Sequence, residues 1–180
     1  MTDRQGRRRI LFVCTANICR SPTAELLSRH RFGESVMVFR SAGFLEVAEG
    51  CPNDLVDVLS GRGIDAGLHR SYRLDTASVE AAELLLTMEG SHVQRATMLA
   101  PDAFAKIVPL KEAASVLQHH PEPAMSIEDL LAELNRDRDP RQYLGTRWDV
   151  ADPYGRRAKA YRRAVEEIDD LVTTVIGRLR

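Results

Sequence analysis

The chain has 180 residues, 25 Lys and Arg against 26 Asp and Glu, a net charge of −1 and 44% hydrophobic residues. That is enough to close one good-sized core, and the near-neutral balance argues against a general nucleic-acid binder. No apolar run approaches the roughly 20 residues of a membrane span, and the 3 cysteines form no disulfide framework, which fits a reducing, cytoplasmic compartment.

Met1 to Arg9 is polar and basic and lacks the apolar stretch of a secretory signal, so residues 1–8 are expected to form a flexible tail. Arg8 to Cys14 reads as a buried strand, Pro22 to Arg31 as a helix and Val36 to Arg40 as a second strand. Asn53 to Arg62 follows as a helix ended by Gly63. Leu84 to Met88 is then a strand, Gly90 to Leu99 a helix, Lys106 to Leu110 a short strand and Ile127 to Leu134 a helix. Arg156 to Leu179 forms the last helix, with Ala160, Ala164, Val165, Ile168, Leu171, Val172 and Val175 on its apolar face. Short strands alternating with helices predict a single α/β domain. Its three α/β/α layers would hold a four-stranded parallel sheet in the order 2-1-3-4. Cys14 then stands at the carboxyl end of the first strand, beside the crevice where open α/β sheets bind ligands.

Cys14-Thr15-Ala16-Asn17-Ile18-Cys19-Arg20-Ser21, directly after Ile10-Leu11-Phe12-Val13, is the most informative stretch. A cysteine and an arginine separated by five residues, between a strand and a helix, describe a loop able to surround a phosphate-sized oxyanion. The nucleophilic form of cysteine is the thiolate, and at a free pKa of about 8.5 it needs stabilisation. Backbone amides of residues 15–20, the positive end of the next helix and the permanent cation of Arg20 can supply it. Arg20 can hold two phosphoryl oxygens in a bidentate fork, which lysine cannot reproduce. Ser21 followed by Pro22 reads as N-cap and first helical residue. The spacing alone also fits a buried thiol beside an unrelated surface cation.

Attack by Cys14 on phosphorus leaves an alkoxide or phenoxide that needs a proton, so a carboxylic acid must approach from the opposite side. Asp152 is the candidate, because Pro153 holds its neighbour extended and fixes where a short acid points. As carboxylate it can then activate the water that hydrolyses the thiophosphate. Asp139-Pro140 and Asp149 are rivals, although Asp-Pro pairs are commonly plain turn starters.

Val13 to Pro22 resembles the signature of the low-molecular-weight protein tyrosine phosphatases. Further landmarks follow in that family's order: Ser41-Ala42-Gly43, Arg62-Gly63-Ile64-Asp65 with His69-Arg70-Ser71, and Asp152-Pro153-Tyr154-Gly155. The resemblance covers the chain from about Arg9 to the C-terminus, residues 9–180 forming the phosphatase domain, and implies that family's fold. It implies a cofactor-free, metal-free cysteine phosphatase with Cys14 as nucleophile, Arg20 and the loop 15–20 as phosphate site and Asp152 as acid, then base. It further implies that the Asn17 side chain supports the loop and is held by Ser41 and His69, and that Ser21 donates its hydroxyl to the Cys14 thiolate. A reversible Cys14–Cys19 disulfide would shelter the nucleophile, against the plain alternative of Cys19 as a small buried hydrophobe. The implied partners are a phosphotyrosine protein substrate and inhibitory phosphate, sulfate or vanadate.

Departures from the family pattern bear on substrate. Phe44 and Val47 are the candidates for an aromatic wall after Ser41-Ala42-Gly43, with Tyr154 at the other wall and Ile18 as a further slot residue. Ile18 resembles the tyrosine-specific members, whereas a threonine there resembles the protein-arginine phosphatases of the family. The segment 112–148 reads as an insertion broken by His119-His120-Pro121-Glu122-Pro123, whose paired histidines are accompanied by no cysteine or third histidine and read as a surface turn. An arsenate reductase would need a relay of further cysteines, and Cys51 is the sole one outside the loop. A silent phosphoprotein-binding module would need neither nucleophile nor acid.

Overall fold

The computed structural model describes residues 6–120 and 124–179; residues 1–5 of the expected tail and Pro121, Glu122 and Pro123 of the expected break lie outside them. The elements are β1 (Arg8–Cys14), α1 (Arg20–Phe32), β2 (Met37–Gly43), α2 (Asn53–Ser60), α3 (Thr76–Ala81), β3 (Leu84–Thr87), α4 (Gly90–Leu99), β4 (Ile107–Pro109), α5 (Leu110–His119), α6 (Ile127–Asn135) and α7 (Ala158–Arg178). Short 3-10 turns cover Pro101–Lys106 and Pro140–Leu144. The strands pair in parallel in the order β2-β1-β3-β4, the order expected from the alternation of strands and helices.

Two apolar layers sandwich that sheet. Ile10 and Phe12 of β1 stand in register with Phe39 of β2 and with Leu84 and Leu86 of β3, and share one core with α1, α5 and α7. Leu11 and Val13 point the other way, joining Ala42, Leu85, Val79, Val93 and Ala96. A strand buried on both faces must be apolar continuously rather than alternately, which is why Ile10 to Cys14 has no polar member. The long helix α7 buries Tyr161, Ala164, Val165, Ile168, Val172, Val175 and Ile176. Ala160 and Leu171, expected on that face, are half-buried at its margin.

The differences from the sequence expectation have local causes. The strand β2 runs three residues further, through Ser41-Ala42-Gly43, because these pair with Phe12, Val13 and Cys14; small residues there signal close approach rather than a loop. Leu110, expected in a strand, opens α5, where Leu110, Ala113, Ala114 and Leu117 are buried at helical spacing. The short α3 is started by Asp75, whose Oδ1 accepts from the Ser78 amide at 2.7 Å.

Candidate active site

The carboxyl end of β1 places Cys14 opposite Gly43, and residues 15–19 turn back from there into α1. The loop lies directly on Gly43, where a Cβ would come within 2.6 Å of the Asn17 amide and 2.7 Å of the Ala16 carbonyl carbon. Any side chain at 43 would displace the loop. At its apex Asn17 adopts φ 53°, a left-handed conformation that costs a non-glycine residue roughly 1–2 kcal/mol. Four hydrogen bonds offset that cost. Asn17 Nδ2 donates to Ser21 Oγ at 2.9 Å and Ser41 Oγ at 2.8 Å, its Oδ1 accepts from the Tyr72 amide at 2.8 Å, and its carbonyl accepts from His69 Nε2 at 2.7 Å. His69 therefore holds the Asn17 backbone, not its side chain as the family resemblance implies. Ser41 Oγ in turn donates to Glu25 Oε2 at 2.6 Å, anchoring the set to α1.

The thiol lies inside this frame. Cys14 Sγ is 3.3 Å from the Asn17 amide and 3.1 Å from Ser21 Oγ, both donors. Ser21 Oγ also stands 3.2 Å from the Ala42 carbonyl. It already accepts from Asn17, and its single proton has the sulfur and the Ala42 carbonyl as alternative acceptors, a thiolate being the one that carries charge. Ser21 is consequently not the N-cap that the Ser-Pro pair suggests. The helix begins at Arg20 with Cys19 as its cap, because the serine hydroxyl finds its partners in the loop rather than on the next helical amides.

Arg20, 2% exposed, reaches across the crevice. Its Nη1 donates to Glu89 Oε1 at 2.5 Å and to the Val150 carbonyl at 3.1 Å, and its Nη2 donates to Asp152 Oδ2 at 2.6 Å and lies 3.4 Å from Thr15 Oγ1. The buried Nε has no partner among the described residues. Burial disfavours the cation, yet Asp152, Cys14 and Glu89 together raise its pKa above the usual arginine value. For Glu89, burial opposes ionisation, but the hydrogen bond from Arg20, the charge of that guanidinium and the hydrogen bond from Ser91 outweigh it and hold the carboxyl below its ordinary range. His92, 1% exposed, stands 3.1 Å from Thr15 Oγ1 and 3.5 Å from Glu89 Oε2. Burial takes its pKa down to about 4, against the pull of Glu89, so the imidazole is neutral at pH 7.

The three acid candidates separate clearly. Asp152, its side chain 45% exposed, faces Arg20 and also accepts from the Tyr154 amide at 3.1 Å. Asp149 is tied to the Gly90 amide at 2.9 Å, and Asp139 caps the 3-10 turn at Pro140 and pairs with Arg141. Of the residues expected to wall a slot, Tyr154 is 57% exposed, whereas Ile18 is 6% exposed and belongs to the core. Phe44 lies against His92, ring centres 5.3 Å apart, with Arg95 4.1 Å over its face, and Val47 packs on the core. All three cysteines are free thiols. Burial pushes the Cys19 thiol well up and that of Cys51 to about 12. The described residues hold no cluster of three or more potential metal ligands, and no helix among them is long and apolar enough to cross a membrane.

Residues 9–134 match the family model for low molecular weight phosphotyrosine protein phosphatase. The chain belongs to this family. It is 31% identical over 174 residues to a probable low molecular weight protein-tyrosine-phosphatase of Ralstonia nicotianae, spanning 95% of both chains. It is equally 31% identical over 174 residues to the protein-arginine-phosphatase of Geobacillus stearothermophilus, spanning 96% of both. Among solved structures it is similar to the low molecular weight protein tyrosine phosphatase of T. tengcongensis, with a TM-score of 0.71 and 28% identity over 96% of this chain and 99% of that one. It is also similar to the G. stearothermophilus arginine phosphatase, with a TM-score of 0.70 and 26% identity over 94% of this chain and 91% of that one.

Sequence reasoning missed several groups that this phosphatase fold brings to the loop. Glu89 and His92 hold Arg20 and Thr15, Glu25 anchors Ser41, and the Tyr72 amide and Val150 carbonyl complete the frame. A signal existed for Glu89. It follows β3 by two residues and so stands at the same carboxyl edge of the sheet as Cys14.

Proposed function

We propose that the chain hydrolyses phosphotyrosine in proteins, with Cys14 as nucleophile, Arg20 and the loop amides as phosphate site, and Asp152 as acid and then base. The observation that carries this is the convergence on one crevice of a thiol receiving two hydrogen bonds, a buried guanidinium with an unpartnered Nε, and a half-exposed carboxylate on that guanidinium. A phosphoryl group bound along the Nε–Nη2 edge of Arg20 would take over the bond now made to Asp152 and release the carboxyl toward the leaving oxygen. Sγ attacks phosphorus, the P–O bond to tyrosine breaks, and the proton of Asp152 goes to the phenol. Water then attacks phosphorus, Asp152 takes its proton, and as the O–P bond forms the S–P bond breaks, releasing phosphate and the Cys14 thiolate. No step calls for a cofactor, and phosphate, sulfate or vanadate would occupy the same cradle as inhibitors.

Two smaller assignments belong to this proposal. Peroxide would convert the Cys14 thiolate to a sulfenic acid, which the Cys19 thiol closes to a disulfide with loss of water. Segment 112–148, which carries most of α5 together with α6 and the 3-10 turn at 140–144, is an insertion in a 9–180 phosphatase domain of cytoplasmic type.

Phosphoarginine is a second reading, supported by the equal resemblance to the Geobacillus protein-arginine-phosphatase. The Ile18 side chain is turned into the core, and what favours tyrosine is the likeness of this loop position to the tyrosine-specific members of the family. The test is steady-state phosphate release from a phosphotyrosine and a phosphoarginine peptide, with wild type and with Cys14→Ser. Turnover of phosphotyrosine should fall by about 10⁴-fold or more in Cys14→Ser, with vanadate binding retained. Preference for phosphoarginine would keep the mechanism and replace the substrate, and turnover that survives Cys14→Ser would overturn the nucleophile.

A further inference from the structure

Beside the phosphate loop, at the open β2 edge of the sheet, lies a cavity of about 640 Å³ that the proposed chemistry does not use. Five arginines line it, Arg7, Arg9, Arg29, Arg40 and Arg70, against one carboxylate, Glu25. In a chain of net charge −1 that is a strong local concentration of positive charge. Arg7 donates to the Glu34 carbonyl at 3.1 Å, and Arg29 and Arg40 share two carboxylates. Glu34, just outside the cavity, pairs with Arg40 at 2.7 Å and Arg29 at 3.5 Å, and Glu25 pairs with Arg29 at 3.3 Å. Among the described residues, the Arg70 guanidinium bonds only to neighbouring carbonyls, those of Gly67 and His69, and that of Arg9 has no hydrogen-bond or ion-pair partner.

The wall of this cavity is also the back of the phosphate loop. Ser41, His69 and Tyr72 line it, and each bonds to Asn17, through the Ser41 hydroxyl, the His69 ring and the Tyr72 amide. Arg29, on its rim, holds the same Glu25 that accepts the Ser41 proton.

We propose that this cavity is a second anion site, distinct from the Cys14 loop, that takes a small ligand carrying two or more phosphate groups and communicates with the loop through Glu25, Ser41 and Asn17. The volume falls in the small-molecule range, and several guanidiniums around one space suit planar, bidentate capture of phosphate oxygens. A bound polyanion draws Arg29 away from Glu25, so that this carboxylate loses its fixed position and carries the Ser41 hydroxyl with it, off its alignment with Asn17, and turnover falls. This last clause rests on the phosphatase reading of Cys14; the binding does not.

The experiment uses the full chain with its catalytic loop saturated with orthovanadate, titrated calorimetrically with tripolyphosphate. Binding should persist in the wild type and weaken by about tenfold or more in the Arg9→Ala/Arg40→Ala double variant, as expected for lost charge-assisted bonds. Leu68→Glu, at a rim position 84% exposed, should weaken it likewise without touching the loop. In assays with p-nitrophenyl phosphate, tripolyphosphate should lower kcat of the wild type by about twofold or more and leave kcat of the double variant unchanged. Loss of the calorimetric signal once vanadate fills the loop, or undiminished binding in both variants, overturns the site. Tighter binding of a short polyglutamate peptide than of tripolyphosphate overturns the ligand class. Binding with unaltered kcat overturns the coupling. A wild type without turnover would be a failure of the phosphatase reading, and calorimetry would still decide the site.

Discussion

Two arginines, Arg20 and Arg138, each stand at the centre of a polar cluster in this protein, and they spend their hydrogen bonds differently. Arg138 is fully engaged. Its Nε donates to Tyr143 Oη at 2.5 Å, Nη1 to the Phe104 carbonyl and Asn135 Oδ1, and Nη2 to the Ile107 carbonyl, while its plane lies over the rings of Phe104 and Tyr143. Tyr143 in turn donates to the buried Glu112 at 2.8 Å. Arg20 is more deeply buried, yet it leaves Nε without a partner and gives Nη2 to an aspartate that reaches solvent. A closed cluster locks the 3-10 turn at Pro140 against β4. An open one keeps binding capacity in reserve, and a buried polar atom without a partner is the mark of that reserve.

Substitutions that treat the two clusters alike should separate them. Arg20→Lys should lower kcat/KM by about 10³-fold, since an ammonium cannot span two phosphoryl oxygens, and should change the urea midpoint little. Arg138→Met should do the reverse. It leaves the Phe104 and Ile107 carbonyls without their donor, so equilibrium unfolding should show a loss of about 3 kcal/mol with kcat/KM within about twofold of wild type. Comparable activity losses in both variants would erase the distinction.

Asp152→Asn sharpens the open side of the contrast. Turnover of an ester with a poor leaving group should fall by about 10²-fold, and that of one with a good leaving group much less. If Asp139→Asn shows that dependence instead, the acid has been misassigned. The smallest effect concerns His92, which faces Glu89, Arg20, Arg95 and Asp152. Its folded pKa of about 4 lies below the ordinary 6.5, so between those values the unfolded chain binds more protons and stability falls as the pH drops. The loss should be on the order of 2 kcal/mol from pH 6.5 to 4, measured from urea midpoints. The added slope should be absent in His92→Gln, and a variant that keeps it would place the titration elsewhere, for instance on Glu89.

Much of the fold was legible because its signals are local. The apolar run Ile10 to Val13 and the periodicity of α7 each sit within one element, and the β-α alternation along the chain implies a parallel sheet; the order 2-1-3-4 was an expectation beyond those signals, which the strand pairing bears out. Gly43 and Leu110 were harder. One looks like a turn residue until the loop is seen resting on it, and the other fits a strand end or a helix start equally well. In the candidate site, the elements of Cys14 to Ser21 are adjacent in sequence, so their chemistry could be read directly. The histidine that holds Asn17 could be named, but whether it met side chain or backbone depended on a ring orientation that no spacing encodes.

The sequence by itself determined which thiol and which guanidinium share a loop, because five intervening residues confine them to one turn between a strand and a helix. Only the tertiary structure decided what surrounds that loop. Glu89 is 69 residues from Arg20 and Asp152 is 132, and nothing in the chain between them fixes their meeting. It is fixed by the stacking of parallel strands, which brings every carboxyl end to one edge; there burial keeps His92 neutral, and the hydrogen bond from Arg20, against burial, keeps Glu89 charged.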